Sequence, residues 1–124
     1  MVIVLDGRGG VLLEQRPPTG VWGGLWSLPE CPKDRALGTW CSQYLGIEVE
    51  QEQALPERRH SFTHFHLDIA PVSVRLKNPS HSLMDEGNRV WYNLTQPDSR
   101  GLAAPVKRIL QELATDDETT RETP

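Results

Sequence analysis

The sequence predicts an α+β or mixed-sheet α/β domain, and three observations carry that reading. A glycine-punctuated apolar hairpin stands at the start, strict apolar–polar alternation runs from His64, and two stripes of apolar residues recur at helical spacing. Strands, a helix, more strands and a last helix are the order expected of one compact layered domain.

The hairpin comes first. Residues 2–5 and 11–15 read as strands joined by Gly7-Arg8-Gly9-Gly10, with glycines where the turn needs positive φ. Pro17-Pro18-Thr19-Gly20 breaks the second strand, and a short strand ends at Pro29. Pro32 suits a first helical position; Ala36, Leu37, Trp40, Cys41, Tyr44 and Leu45 then keep helical spacing up to Gly46, which reads as the stop. Gly38 weakens that helix.

Residues 47–53 are expected to form a weak edge strand. Residues 64–74 read as one long strand, with Pro71 forcing a bulge or an edge position. Residues 78–88 make a polar loop, and Val90-Trp91-Tyr92 a short strand. Pro105 opens a last helix with Val106, Ile109, Leu110 and Leu113 as its apolar stripe. The domain is set at residues 1–113 and a disordered acidic tail at 114–124, where apolar periodicity stops.

Bulk properties narrow the function. At 124 residues, 37% hydrophobic and 24% charged, the chain suits a single soluble domain with one core. No apolar run approaches a membrane span, and Asp6 ends the apolar start too soon for a signal peptide. Cys31 and Cys41 read as two reduced, partly buried thiols, too few for a disulfide framework or a zinc signature. The formal charge of −4 is uneven: the tail accounts for −3, leaving the body near −1. Such a body is compatible with DNA but does not hold it tightly alone.

The most informative segment is Arg58-Arg59-His60-Ser61-Phe62-Thr63-His64-Phe65-His66-Leu67-Asp68-Ile69. Alternation puts Phe65, Leu67 and Ile69 on a core face and His64, His66 and Asp68 on the other. Phe62 breaks the pattern: a bulge returns it to the core, or it stands exposed at a loop tip. An exposed Phe beside a hydroxyl at Thr63, with Arg58, Arg59 and His60 near, is what a nucleic-acid loop needs: a ring to wedge, a hydroxyl for a base edge and cations for phosphate. A metal on His64, His66 and Asp68 is disfavoured, because alternate positions of a straight strand spread the three over ~13 Å. Trp22-Gly23-Gly24-Leu25-Trp26 lacks the Lys-Ser/Thr of a phosphate loop and reads as a tight turn with both indoles anchoring the core. Asp85 and Glu86 read as solvated neighbours in a polar loop.

Several of these stretches, in order, resemble the C-terminal domain of bacterial MutY adenine DNA glycosylases. They are Leu13-Glu14-Gln15-Arg16-Pro17-Pro18 running into Gly20-Val21-Trp22-Gly23-Gly24-Leu25-Trp26, then the segment from His60 to Ile69, Met84-Asp85-Glu86-Gly87-Asn88, Trp91-Tyr92-Asn93-Leu94 and Gly101-Leu102-Ala103-Ala104-Pro105-Val106. The resemblance implies a Nudix-like fold, a mixed sheet flanked by two helices. It implies a lesion-recognition domain for 8-oxoguanine opposite misincorporated adenine in double-stranded DNA. Thr63, where Ser is typical, then reads the lesion; Phe62 wedges beside it and His64 supports the loop. Arg58, Arg59, His60 and Ser61 are the candidate DNA-backbone contacts.

The resemblance further implies that this chain alone is no enzyme and has no catalytic residue, metal or cofactor. The adenine-excising N-terminal domain, its partner, would carry the iron–sulfur cluster, and the whole would act in the bacterial cytoplasm with no membrane partner. True Nudix hydrolases carry a helix ending Arg-Glu-x-x-Glu-Glu-x-Gly whose carboxylates hold magnesium. Aligned on Gly46, residues 39–46 here hold no carboxylate. A Nudix-type hydrolase of oxidised nucleotides is the alternative, and a protein-interaction module using residues 78–88 is the third reading.

Overall fold

A computed structural model describes residues 1–77, 87–95 and 100–122, the last seven of these by backbone alone. Two runs of apolar residues determine the architecture. Val2, Ile3 and Val4 of β1 (Val2–Leu5) and Val11, Leu12 and Leu13 of β2 (Gly10–Gln15) are all buried. A strand apolar at consecutive positions must be covered on both faces. Val2, Val4 and Leu12 face one core, Ile3, Val11 and Leu13 the other, as the two-residue repeat requires.

The asparagine-free turn between them is organised by Asp6, whose Oδ1 accepts from the backbone N–H of Arg8 at 2.7 Å and of Gly10 at 2.9 Å. β3 (Trp26–Ser27) pairs with the last two residues of β2, and β8 (Arg89–Asn93) runs antiparallel along its length. β1 pairs in parallel with β7 (Val72–Leu76), Val2 opposite Val72, and β7 pairs antiparallel with β4 (Val49–Ala54) at the edge. The edge strand expected at 47–53 is therefore β4, with an irregularity where Gln51 takes φ of 55°.

One core lies under α1 (Leu37–Trp40) and the π-helical turn Cys41–Leu45 that continues it; Trp40, Cys41 and Leu45 pack there on Val74 and Leu76. The helix starts five residues later than Pro32 led us to expect. Pro32 closes only a single turn, accepting from Arg35 N–H at 3.2 Å, and Ala36 is extended. Gly46 does stop it, in the left-handed region at φ 69°. Both thiols are free, and burial pushes that of Cys41 up to about 11.

The second core lies under α2 (Ala104–Glu122), where Val106, Ile109 and Leu110 are buried against Ile3, Leu13 and Tyr92. Pro105 occupies the first turn, where its missing N–H costs nothing. The helical backbone runs on past Leu113 to Glu122, through most of the stretch read as a tail. The mixed sheet flanked by two helices agrees with the sequence. No helix among the described residues is long and apolar enough to cross a membrane.

The largest departure falls at residues 64–74. They form not one strand but two, β6 (His66–Ile69) and β7, separated at Ala70-Pro71 and assigned to different sheets. β6 pairs with β5 (Arg58–Ser61) in a two-stranded hairpin of its own. Ala54 of β4 is opposite Val72 of β7, so residues 55–71 are the connection between two neighbouring strands, closed by a 2.9 Å bond from Leu55 N–H to Pro71 O. Proline supplies the acceptor and has no N–H to continue a ladder. The loop 78–88 lies largely outside the described residues, Asp85 and Glu86 included.

Candidate nucleic-acid interface

The hairpin has two faces, and its register dictates what each carries. Arg59 is opposite Asp68 and Ser61 opposite His66; Arg58 is opposite Ile69 and His60 opposite Leu67. On the outer face the pairs close on themselves. Arg59 Nε donates to Asp68 Oδ1 at 2.8 Å, and Ser61 Oγ lies 2.9 Å from His66 Nδ1. The Arg59 hydrogen bond and charge hold the exposed Asp68 carboxyl below its usual range. Cross-strand pairs of this kind stabilise the ribbon where it has no core of its own.

The inner face meets the body. Ile69 is 4% exposed, fixing the hairpin's base. Arg58 reaches α2, where its guanidinium donates to Glu112 Oε2 at 2.8 Å; its Nε is buried without a hydrogen-bond partner among the described residues. Higher up, His60 and Phe62 meet Trp22, with ring centroids 5.5 and 5.4 Å away. Phe62 also receives the edge of His60 at 4.7 Å and stacks on Phe65 at 4.4 Å and 19°.

The tip follows from these contacts. Phe62 N–H donates to Phe65 O at 2.7 Å, leaving Thr63 and His64 as the two residues of the turn, both exposed. No hydrogen bond or ion pair among the described residues engages either side chain. Phe62 lies between the two expectations, half-buried against Trp22 and Phe65. Phe65 is a correction: expected on the core face, it is 47% exposed. The alternation fails because the strand begins only at His66, and Phe65 closes the turn opposite Phe62 instead of lying in the ladder. His64 likewise shares no strand face with His66 and Asp68.

Thus Phe62, Thr63 and His64 are brought together at the tip, while Arg58, Arg59, His60 and Ser61 form the stem. Arg58 and Arg59 are each committed to a carboxylate. Trp22 was missed as a part of this site. It sits in a turn built by residues 16–25, where Arg16 N–H donates to Leu25 O at 2.9 Å and Gly24 N–H to Pro17 O at 2.9 Å. A Cβ on Gly23 would lie 2.6 Å from Pro18 O, so the turn closes this tightly only with glycine there. Trp22 itself takes φ of 55°, a rare conformation for a bulky residue. Nothing in the sequence marks that strain, and the rings Trp22 meets, His60 and Phe62, lie about 40 positions further along the chain.

The helical stretch at 39–46, where a Nudix hydrolase would carry its carboxylates, is tied to the sheet through Tyr44. Tyr44 Oη donates to Glu14 Oε1 at 3.0 Å, Arg89 Nε donates to Glu14 Oε2 at 3.1 Å, and Tyr44 stacks on Trp40 at 5.0 Å. Among the described residues no three His, Cys, Asp or Glu side chains lie close enough to share a metal ion.

The architecture is that of a three-layer domain with a mixed sheet and one detached hairpin. A family profile described as the NUDIX domain matches residues 1–112, and the chain belongs to that family. It is 25% identical over 111 residues to an adenine DNA glycosylase of Buchnera aphidicola subsp. Baizongia pistaciae, covering 90% of this chain and 31% of that protein. The chain spans about a third of the length of the curated relatives it matches, 31% for each of three adenine DNA glycosylases of Buchnera aphidicola. Its fold is similar to that of the C-terminal domain of mouse MUTYH in a complex with human PCNA, at TM-score 0.60 and 19% identity, covering 96% of this chain and 86% of that one. It is also similar to a MutT NUDIX hydrolase from Burkholderia pseudomallei, at TM-score 0.52 and 18% identity, covering 90% and 97%. The resemblance read from the sequence to a Nudix-like domain of adenine DNA glycosylases holds.

Proposed function

We propose that this domain serves DNA repair as the lesion-reading part of an adenine DNA glycosylase, recognising 8-oxoguanine opposite adenine while a separate domain excises the adenine. The observation that carries the reading is the hairpin tip, where Thr63 and His64 are exposed on a stacked Phe62–Phe65 pair. Oxidation of guanine turns the N7 acceptor into a donor and adds an acceptor oxygen at C8. A hydroxyl both donates and accepts, so Thr63 answers both changes with one group. Phe62 and Phe65 supply apolar planes for the flank of a base step, and His64 a ring for the backbone or sugar. The proposed role is recognition without turnover, supported by the absence of any carboxylate in residues 39–46.

The test is an NMR titration of the chain, at one low ionic strength, with a duplex containing 8-oxoguanine opposite adenine and one containing guanine opposite adenine. Shifts at Phe62, Thr63 and His64 larger with the lesion are expected. Equal shifts with both duplexes, or none at these residues, overturn the reading. Release of inorganic phosphate or pyrophosphate from an oxidised nucleoside triphosphate with magnesium would favour the hydrolase instead.

A further inference from the structure

The hairpin makes no ladder hydrogen bond to the main sheet, yet its tip is the part that must hold a geometry. Below the tip it is fixed by Ile69 and by the Arg58–Glu112 pair, both at the base of the stem. Among the described residues, one aromatic ring from the body reaches the upper stem. Trp22 packs against the α2-side core and touches both His60 and Phe62. Phe62 passes that contact to Phe65, so the stacked pair under Thr63 and His64 stands on the indole.

We infer that Trp22 is a positioning residue for the hairpin tip, setting the order and angle of Thr63 and His64 and thereby the preference for the lesion. This rests on the function proposed above. The turn is built for that duty. Arg16 Nε donates to Val21 O and Gln15 Nε2 to Gly24 O, so side chains as well as backbone brace the loop on either side of Trp22. Holding the indole at φ 55° is sustained only because the surrounding bonds over-determine it. A tip ordered before binding loses less freedom on binding, which is how a residue that never touches the lesion governs the affinity for it.

The experiment compares the wild-type chain with Trp22→Phe and Trp22→Leu. Order at the tip is read as the backbone ¹⁵N heteronuclear NOE of Thr63 and His64, and preference as the ratio of Kd for the guanine and 8-oxoguanine duplexes. Both should fall in the order Trp, Phe, Leu, with the ratio at least fivefold lower in Trp22→Leu, while amide shifts of Ile3, Val11 and Ile109 stay in place. A purely core-filling role would perturb those core amides and leave the tip ordered. If Trp22→Leu does not fold, Trp22→Phe decides: wild-type tip order and ratio in any folded variant overturn the inference. A wild-type chain that does not discriminate between the duplexes overturns the function, and the NOE comparison still judges the role of Trp22.

Discussion

Arg58 and Glu112 meet at 2.8 Å although 54 positions separate them, and this contact joins the base of the hairpin stem to α2. It also neutralises one of the two arginines the sequence offered to DNA phosphate. Replacing Glu112 with Gln should free Arg58. We expect tighter binding to undamaged duplex and a salt dependence steeper by about one unit in log–log slope. Fluorescence anisotropy at four salt concentrations measures both; an unchanged slope would mean that Arg58 lies out of reach of the backbone. With Glu112 59% exposed, the stability cost should stay below about 1 kcal/mol.

Thr63 isolates the hydroxyl from the shape of the side chain. Thr63→Val keeps the β-branch and removes the hydrogen-bonding group from an exposed position, so stability should change by less than about 0.5 kcal/mol. Preference for the lesion duplex should fall by roughly five- to hundredfold, the about 1–3 kcal/mol that one well-made base contact supplies. Thr63→Ser, which keeps the hydroxyl, should retain it. Competition binding with the two duplexes reads the result, and equal preference in wild type and Thr63→Val would remove the hydroxyl from the account.

The pair between Arg59 and Asp68 predicts a pH dependence. Its hydrogen bond lowers the Asp68 pKa in the folded chain below the ordinary 3.8. The stabilisation is therefore present above the unfolded value and is lost as pH falls through the folded one. A ¹³C carboxyl titration should give Asp68 a midpoint under 3.8, and Arg59→Gln should return it toward that value. An unmoved midpoint in the variant would show the pair is not formed in solution.

Ile69 is the one buried residue of the hairpin, and truncating it tests how the hairpin is attached. Ile69→Ala should cost about 2–5 kcal/mol by the ordinary scale for buried aliphatic residues. Urea unfolding followed by tryptophan fluorescence gives the number. A loss far below that range would show that the hairpin opens without the body unfolding.

The central sheet and α2 were legible because burial on two faces demands continuous apolar runs and a helical stripe, both written locally in Val2–Leu5 and in Val106, Ile109 and Leu110. The hairpin was only half legible. Alternation from His64 located a strand but placed Phe65 in the core, because nothing local says where a turn ends and pairing begins. Helix α1 was overestimated, since spacing from Pro32 to Leu45 does not reveal that Ala36 is extended. Arg58 and Arg59 were recognised as cations, but their carboxylate partners come from register and from a helix 54 positions away, neither of which a sequence window contains.

The single bond from Leu55 to Pro71 has an evolutionary corollary. Because Ala54 and Val72 already face each other as neighbours in the sheet, everything between is a bounded cassette with fixed sockets at both ends. Exchanging it should leave the register of the sheet and the order of its strands in place, so long as the anchors at Ile69 and Arg58 are kept. A scaffold of this kind can trade one surface specificity for another by replacing seventeen consecutive residues, 55–71, provided that the newcomer also fits the indole waiting for it.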